Sequence, residues 1–151
     1  MRIRRYEPRD REAALGLAPR LTIGVAAWRD PAAVLDAVHG WVHDAITSTA
    51  QDHAVFVAED PSSRLIGLVS VGQCTHFSGD VDGYVGELVV AADCEGRGVG
   101  RALMASAERW ARERGLERVT LETGAANRRA RAVYGQLGYV EEEVRLTKLL
   151  D

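Results

Sequence analysis

One stretch restricts the possible folds more than any other: GYVGELVV, then AADCE, then GRGVG, then RALMASAERW, residues 83–110 of the 151-residue chain. GYVGELVV is a nearly continuous apolar run, the pattern of a strand buried on both faces. After it, Gly96, Gly98 and Gly100 fall within five residues. Val99, Leu103, Ala107 and Trp110 then recur at steps of three and four, which makes one apolar stripe on a helix that stops near Gly115. A buried strand feeding an amphipathic helix through a glycine-rich turn requires a layered domain of sheet and helix. The first N–H groups of such a helix have no internal partners and carry an effective charge of about +0.5, so they attract anions. Glycines at that point remove side chains and let the backbone close around a phosphate.

The flanking sequence fits one mixed domain spanning residues 1–151. MRIRRY alternates like an opening strand, and DREAALGLA predicts a first helix with Asp10 as its cap. PAAVLDAVHGWVHDAI, from Pro31 to Ile46, predicts a second helix. HAVFVAED and RLIGLVSVGQC flank the turn-forming PSS and predict a hairpin. RVTLET predicts a short strand and Asn127 to Leu137 a last helix stopped by Gly138. YVEEEVRLTKLL predicts one or two closing strands. Strands and helices in this mixed order imply an α+β (mixed α/β) domain.

Spacing sorts the candidate ligands of the glycine turn. A P-loop needs Gly-Lys-Ser/Thr, but Gly100 is followed by Arg101 and Ala102. A dinucleotide fingerprint starting at Gly96 needs a third glycine where Arg101 stands. A methyltransferase-like turn for S-adenosylmethionine fits better, with Glu122 placed to meet a ribose hydroxyl, although too little chain follows for a doubly wound sheet. A purely structural turn also accounts for the glycines.

A second motif narrows the choice. In NRRARAVYGQLGY, Asn127, Ala130, Tyr134, Gly138 and Tyr139 follow the pattern Asn-x-x-Ala-x-x-x-Tyr-x-x-x-Gly-(Phe/Tyr). With GRGVG in front, the span from Tyr84 to Tyr139 resembles the GNAT superfamily of acyl-CoA N-acyltransferases. The resemblance implies a central, mixed, mostly antiparallel sheet of about six or seven strands flanked by about four helices. It also implies acetyl-CoA as acyl donor, with no metal, and a small-molecule amine as acceptor. By the same resemblance, the pantetheine arm lies along Leu88, Val89 and Val90. The pyrophosphate sits on the amides of Gly96, Arg97, Gly98, Val99, Gly100 and Arg101, and Asn127 and Ala130 lie at the arm. The family's cradle signature is (Gln/Arg)-x-x-Gly-x-(Gly/Ala), and Glu95 stands where Gln or Arg is usual. A carboxylate there repels a pyrophosphate unless it turns to solvent or pairs with a cation such as Arg97.

The chemistry needs two proton carriers. An alkylamine has a pKa of about 10.4, so its neutral form costs about 4–5 kcal/mol at pH 7. Glu87, the lone acid in YVGELVV, is the candidate base, acting directly or through a water; Glu122 is the alternative, and a carboxylate paired with an arginine or at a strand edge is the structural reading. Tyr134 stands at the family's position for the acid that protonates the departing thiolate.

Other features carry less. Net charge is −3, which argues against general nucleic-acid affinity, yet Arg97 to Arg131 holds nine arginines against four glutamates. That positive segment suits a polyanionic small ligand or a solvated helix face. The start lacks an apolar signal region and no run approaches a membrane span, so the expectation is a cytoplasmic protein without membrane contact. Cys74 and Cys94 form no CxxC motif and are expected as free thiols. His39 and His43 are four apart but lack the glutamate of HExxH. Trp28 and Trp41 fit either an acceptor pocket or the core. The alternative to an enzyme is a non-catalytic acyl-CoA sensor, and a homodimer is the commonest assembly open to such a chain.

Overall fold

In a computed structural model, which describes residues Met1–Leu150, five strands form one sheet in chain order: β1 (Arg2–Arg5), β2 (His53–Glu59), β3 (Leu65–Thr75), β4 (Val81–Val90) and β5 (Val119–Leu121). The first four are antiparallel to their neighbours, and β5 lies parallel to β4. Four helices join them: α1 (Arg11–Leu17), α2 (Pro31–Thr47), α3 (Val99–Arg112) and α4 (Arg128–Gln136). The expected hairpin is β2–β3. Asp30 caps α2, its carboxylate accepting from the amide of Ala33 at 3.0 Å, with Pro31 just inside. Asp10 precedes α1 but caps nothing there. Its carboxylate takes Arg4 of β1 through two bonds of 2.6 and 2.9 Å and the amide of Glu7 at 2.9 Å, tying strand to helix.

β3 is buried at every residue from Ile66 to Val71, so both faces of the sheet are covered. The predicted stripe of α3 packs against it: Val99, Leu103, Ala107 and Trp110 are all 3% exposed or less. The approach is close at Gly67, where an added Cβ would stand 2.9 Å from Leu103 Cδ1 and 3.0 Å from the carbonyl oxygen of Val89. Glycine is needed there to seat α3. The tally of six or seven strands is corrected to five. Residues 140–150 form no strand, and Val140, Val144, Leu146, Leu149 and Leu150 are exposed. Strand-like alternation was present in that segment, but a strand exists only where a neighbour accepts its main-chain bonds. Among the described residues, no helix is long and apolar enough to cross a membrane.

Candidate active site

The glycine-rich turn has the geometry of an anion cradle. Gly96 and Gly98 adopt φ of +75° and +80°, a region that side chains rarely enter, and Gly98 is the residue from which α3 springs. The carbonyl of Gly98 accepts from the amide of Ala102 at 3.0 Å. Among the described residues, none of the amides from Gly96 to Arg101 donates to a protein acceptor in good hydrogen-bond geometry. An added Cβ at Gly98 would meet nothing within 4 Å, so the turn is open at that residue. Such a row of free donors at a helix start fits a pyrophosphate.

Beside the cradle, the sheet opens. β4 pairs with β3 along most of its length, but β5 pairs with β4 only from Gly83 to Val85. From Gly86 onward the β5-facing edge of β4 has no strand partner. An irregularity opposite Val69–Val71 marks the place, and there Gly86 lets the strands stay close: an added Cβ would lie 2.9 Å from Ser70 Oγ. Leu88 and Val90 are half-buried and Val89 is buried along the same edge. The splay gives room for an extended arm to lie against β4. The carbonyl of Val90 is already taken, accepting from Arg20 Nε at 2.7 Å.

Glu87 sits at this irregularity, half-buried. The buried hydroxyl of Ser70 donates to its carboxylate, and the amide of Glu87 donates back to Ser70 Oγ at 3.0 Å. Burial pushes the Glu87 carboxyl above the ordinary range, the Ser70 bond opposes this, and the charge of Asp44 on α2 adds to the rise. Among the described residues no arginine is bonded to Glu87, which removes the ion-pair reading and leaves the strand-edge one. Glu122 is exposed. Burial raises the Tyr84 phenol, and the charges of Glu122 and Glu87 add to the rise.

Tyr134 lies on α4, half-buried against the core, its ring edge-on to Tyr139 with centroids 5.9 Å apart. Burial raises its phenol, so it keeps its proton throughout the neutral range. Asn127 is the cap of α4: its side-chain oxygen accepts from the amide of Ala130 at 3.2 Å and its amide donates to the carbonyl of Ile23 at 3.4 Å. The loop at Ile23–Gly24 presses on this corner, where an added Cβ at Gly124 would lie 2.1 Å from the Gly24 oxygen. Trp28 and Trp41 are 52% and 51% exposed, so neither belongs to the core.

Three residues of the site carried too little local signal to be found from sequence. Ser70 was marked only by being the polar member of LIGLVSV. Arg20 and Arg129 both bond the carboxylate of Glu95, from 75 and 34 residues away. The partner of Glu95 is therefore this pair and not Arg97.

The model of the acetyltransferase (GNAT) family matches residues 21–139, and the chain belongs to that family. It is 37% identical over 95 residues to a mycothiol acetyltransferase of Saccharomonospora viridis, covering 59% of this chain and 31% of that protein. To a probable glucosamine 6-phosphate N-acetyltransferase 2 of Oryza sativa subsp. japonica it is 31% identical over 106 residues, 67% of this chain and 62% of that one. The chain thus spans less than two thirds of the length of either relative. Among solved structures it resembles AAC(6')-Iy in complex with a bisubstrate analog, CoA-S-monomethyl-acetylneamine, with a TM-score of 0.72 and 22% identity over 99% of this chain and 98% of that one, a likeness of fold.

Proposed function

We propose that the chain is an N-acetyltransferase that moves an acetyl group from acetyl-CoA to a primary amine of a small molecule by direct attack. The observation that carries this reading is the row of unpartnered amides from Gly96 to Arg101, set beside the open edge of β4 in a chain of this family. Gly96, Arg97, Gly98, Val99, Gly100 and Arg101 would hold the pyrophosphate. Leu88, Val89 and Val90 would line the arm, with Asn127 and Ala130 at the start of α4. Acetyl-CoA supplies an activated thioester carbonyl and a thiol leaving group.

The chain's own residues handle the protons. Deprotonating the amine at pH 7 costs about 4–5 kcal/mol, so the base must be strong enough to share that proton and still be ionised. Burial raises the Glu87 carboxyl, which makes it a stronger base toward that proton than an ordinary carboxylate. Tyr134 donates its proton toward the departing sulfur. A thiol of pKa about 8.5 is a stronger acid than a phenol of about 10, so full transfer is uphill by roughly 2 kcal/mol, and the burial of Tyr134 adds to that. Amine deprotonation remains the larger task, and Glu87 the more demanding role. The name of one relative, with a sugar phosphate in it, supports a small-molecule acceptor.

Release of free thiol from acetyl-CoA in the presence of an amine panel tests the proposal. Turnover with at least one amine is expected. Tight binding of acetyl-CoA without thiol release for any amine would instead favour a sensor module.

A further inference from the structure

Glu95 is unusual among the cradle residues because it brings negative charge to a place built for an anion. Its two carboxylate oxygens are shared between two arginines from different parts of the chain: Arg20, from the 3₁₀ turn Ala18–Thr22, and Arg129, from the first turn of α4. Arg129 Nη2 lies 3.9 Å from where a Cβ on Gly96 would stand, so this guanidinium hangs over the cradle glycines. Arg20 is anchored from behind by the Val90 carbonyl at 2.7 Å. The side chains of Glu95 and Arg129 are 30% and 65% exposed, so each has solvent to move into.

We propose that Arg20 and Arg129 form a phosphate-binding pair for coenzyme A, and that Glu95 holds the anion's place between them until the phosphate displaces it. This inference rests on the function proposed above. Two guanidiniums converging on one carboxylate present forked donors that match a phosphate equally well, and a phosphate offers more charge and more acceptor oxygens than a carboxylate. A partly exposed carboxylate–guanidinium pair contributes little net stability, so a phosphate has little to overcome in displacing it. Without Glu95, two like charges would face each other at the cradle mouth, and the anion would bind without a competitor. Glu95 therefore sets the affinity for the cosubstrate, trading tightness for ready release.

The test is calorimetric binding of CoA, 3′-dephospho-CoA and phosphate-free pantetheine to the wild-type chain and to Glu95→Gln, Arg129→Ala and the double variant. Arg129→Ala alters an exposed side chain, and Glu95→Gln keeps shape, so both are expected to fold. Glu95→Gln should tighten CoA by about tenfold and Arg129→Ala should weaken it by about tenfold, in the range of a charge-assisted pair at an accessible site. The gain from Glu95→Gln should shrink in the Arg129→Ala background, and pantetheine should bind all four alike. Loss for both nucleotides places the contact on the pyrophosphate; loss for CoA alone places it on the 3′-phosphate. Wild-type affinity for CoA that neither substitution alters overturns this inference alone. A wild-type chain that binds none of the three ligands overturns the proposed function and this inference together.

Discussion

At the scale of single residues, Glu87 carries the sharpest consequences. Its carboxyl is raised by burial, so as a base it becomes competent only when pH climbs past that raised value. The acid limb of kcat/KM should therefore lie above the ordinary value of about 4.3 for glutamate, and Glu87→Gln should remove the limb and lower the rate by about 10²–10⁴-fold. Ser70→Ala deletes the bond that lowers this pKa, so the limb should move to higher pH. Stability gives an independent reading. Between the unfolded and folded pKa values the native state holds more protons, so stability falls as pH rises through that window. Denaturation midpoints should show Glu87→Gln gaining on wild type as pH rises from the acid side of that window to neutral; a constant difference across pH would contradict the assigned burial effect. Tyr134→Phe should cost about 10²–10⁴-fold in rate under saturating substrates if its hydroxyl serves the leaving sulfur. An unchanged rate constant would remove Tyr134 from that role.

Among elements, α3 and its seat on the sheet matter most. Gly67→Ala would press a methyl against the Val89 carbonyl oxygen at 3.0 Å, a main-chain atom with no freedom to turn aside. Such overpacking should destabilise by about 1–3 kcal/mol, measurable by urea denaturation, and it would tilt the helix that presents the cradle. Stability equal to wild type would show that α3 is not held by this contact. The element was legible beforehand because its evidence is local: the stripe Val99, Leu103, Ala107, Trp110 and the glycines at its start fix helix, face and entrance together. The half-burial of Glu87 was legible for the same reason, as one acid in an apolar strand. The tail was not. Val140 to Leu150 has strand-like alternation, but strand formation depends on what lies alongside. The Glu95 clamp was hidden by distance, since its two arginines lie 75 and 34 residues away in sequence and nothing local marks their meeting. The irregularity at Gly86 had a faint signal, a glycine inside a strand, but its partner Ser70 is set by register across β3 and β4.

For the whole molecule, the relevant property is an uneven charge. The chain is −3 overall, yet the segment from Arg97 to Arg131, which contains α3, β5 and the start of α4, carries nine arginines against four glutamates. CoA should therefore bind more weakly as salt is raised, because screening of about 8 Å at physiological ionic strength cuts the field at the cradle. A ligand that binds only the native state at about 100 times its Kd adds about 2.7 kcal/mol, which for a domain of this size corresponds to a rise in Tm of roughly 5–10 °C. Acetyl-CoA should produce that rise and S-adenosylmethionine should not. The most direct measurement is an NMR titration of the ¹⁵N-labelled chain with CoA, following the amide signals of Gly96, Arg97, Gly98, Val99, Gly100 and Arg101. Binding should shift those signals together and more than the amides of β1 and β2. If CoA leaves them unmoved, or binds while shifting only amides elsewhere, the cradle is not where the cosubstrate is held.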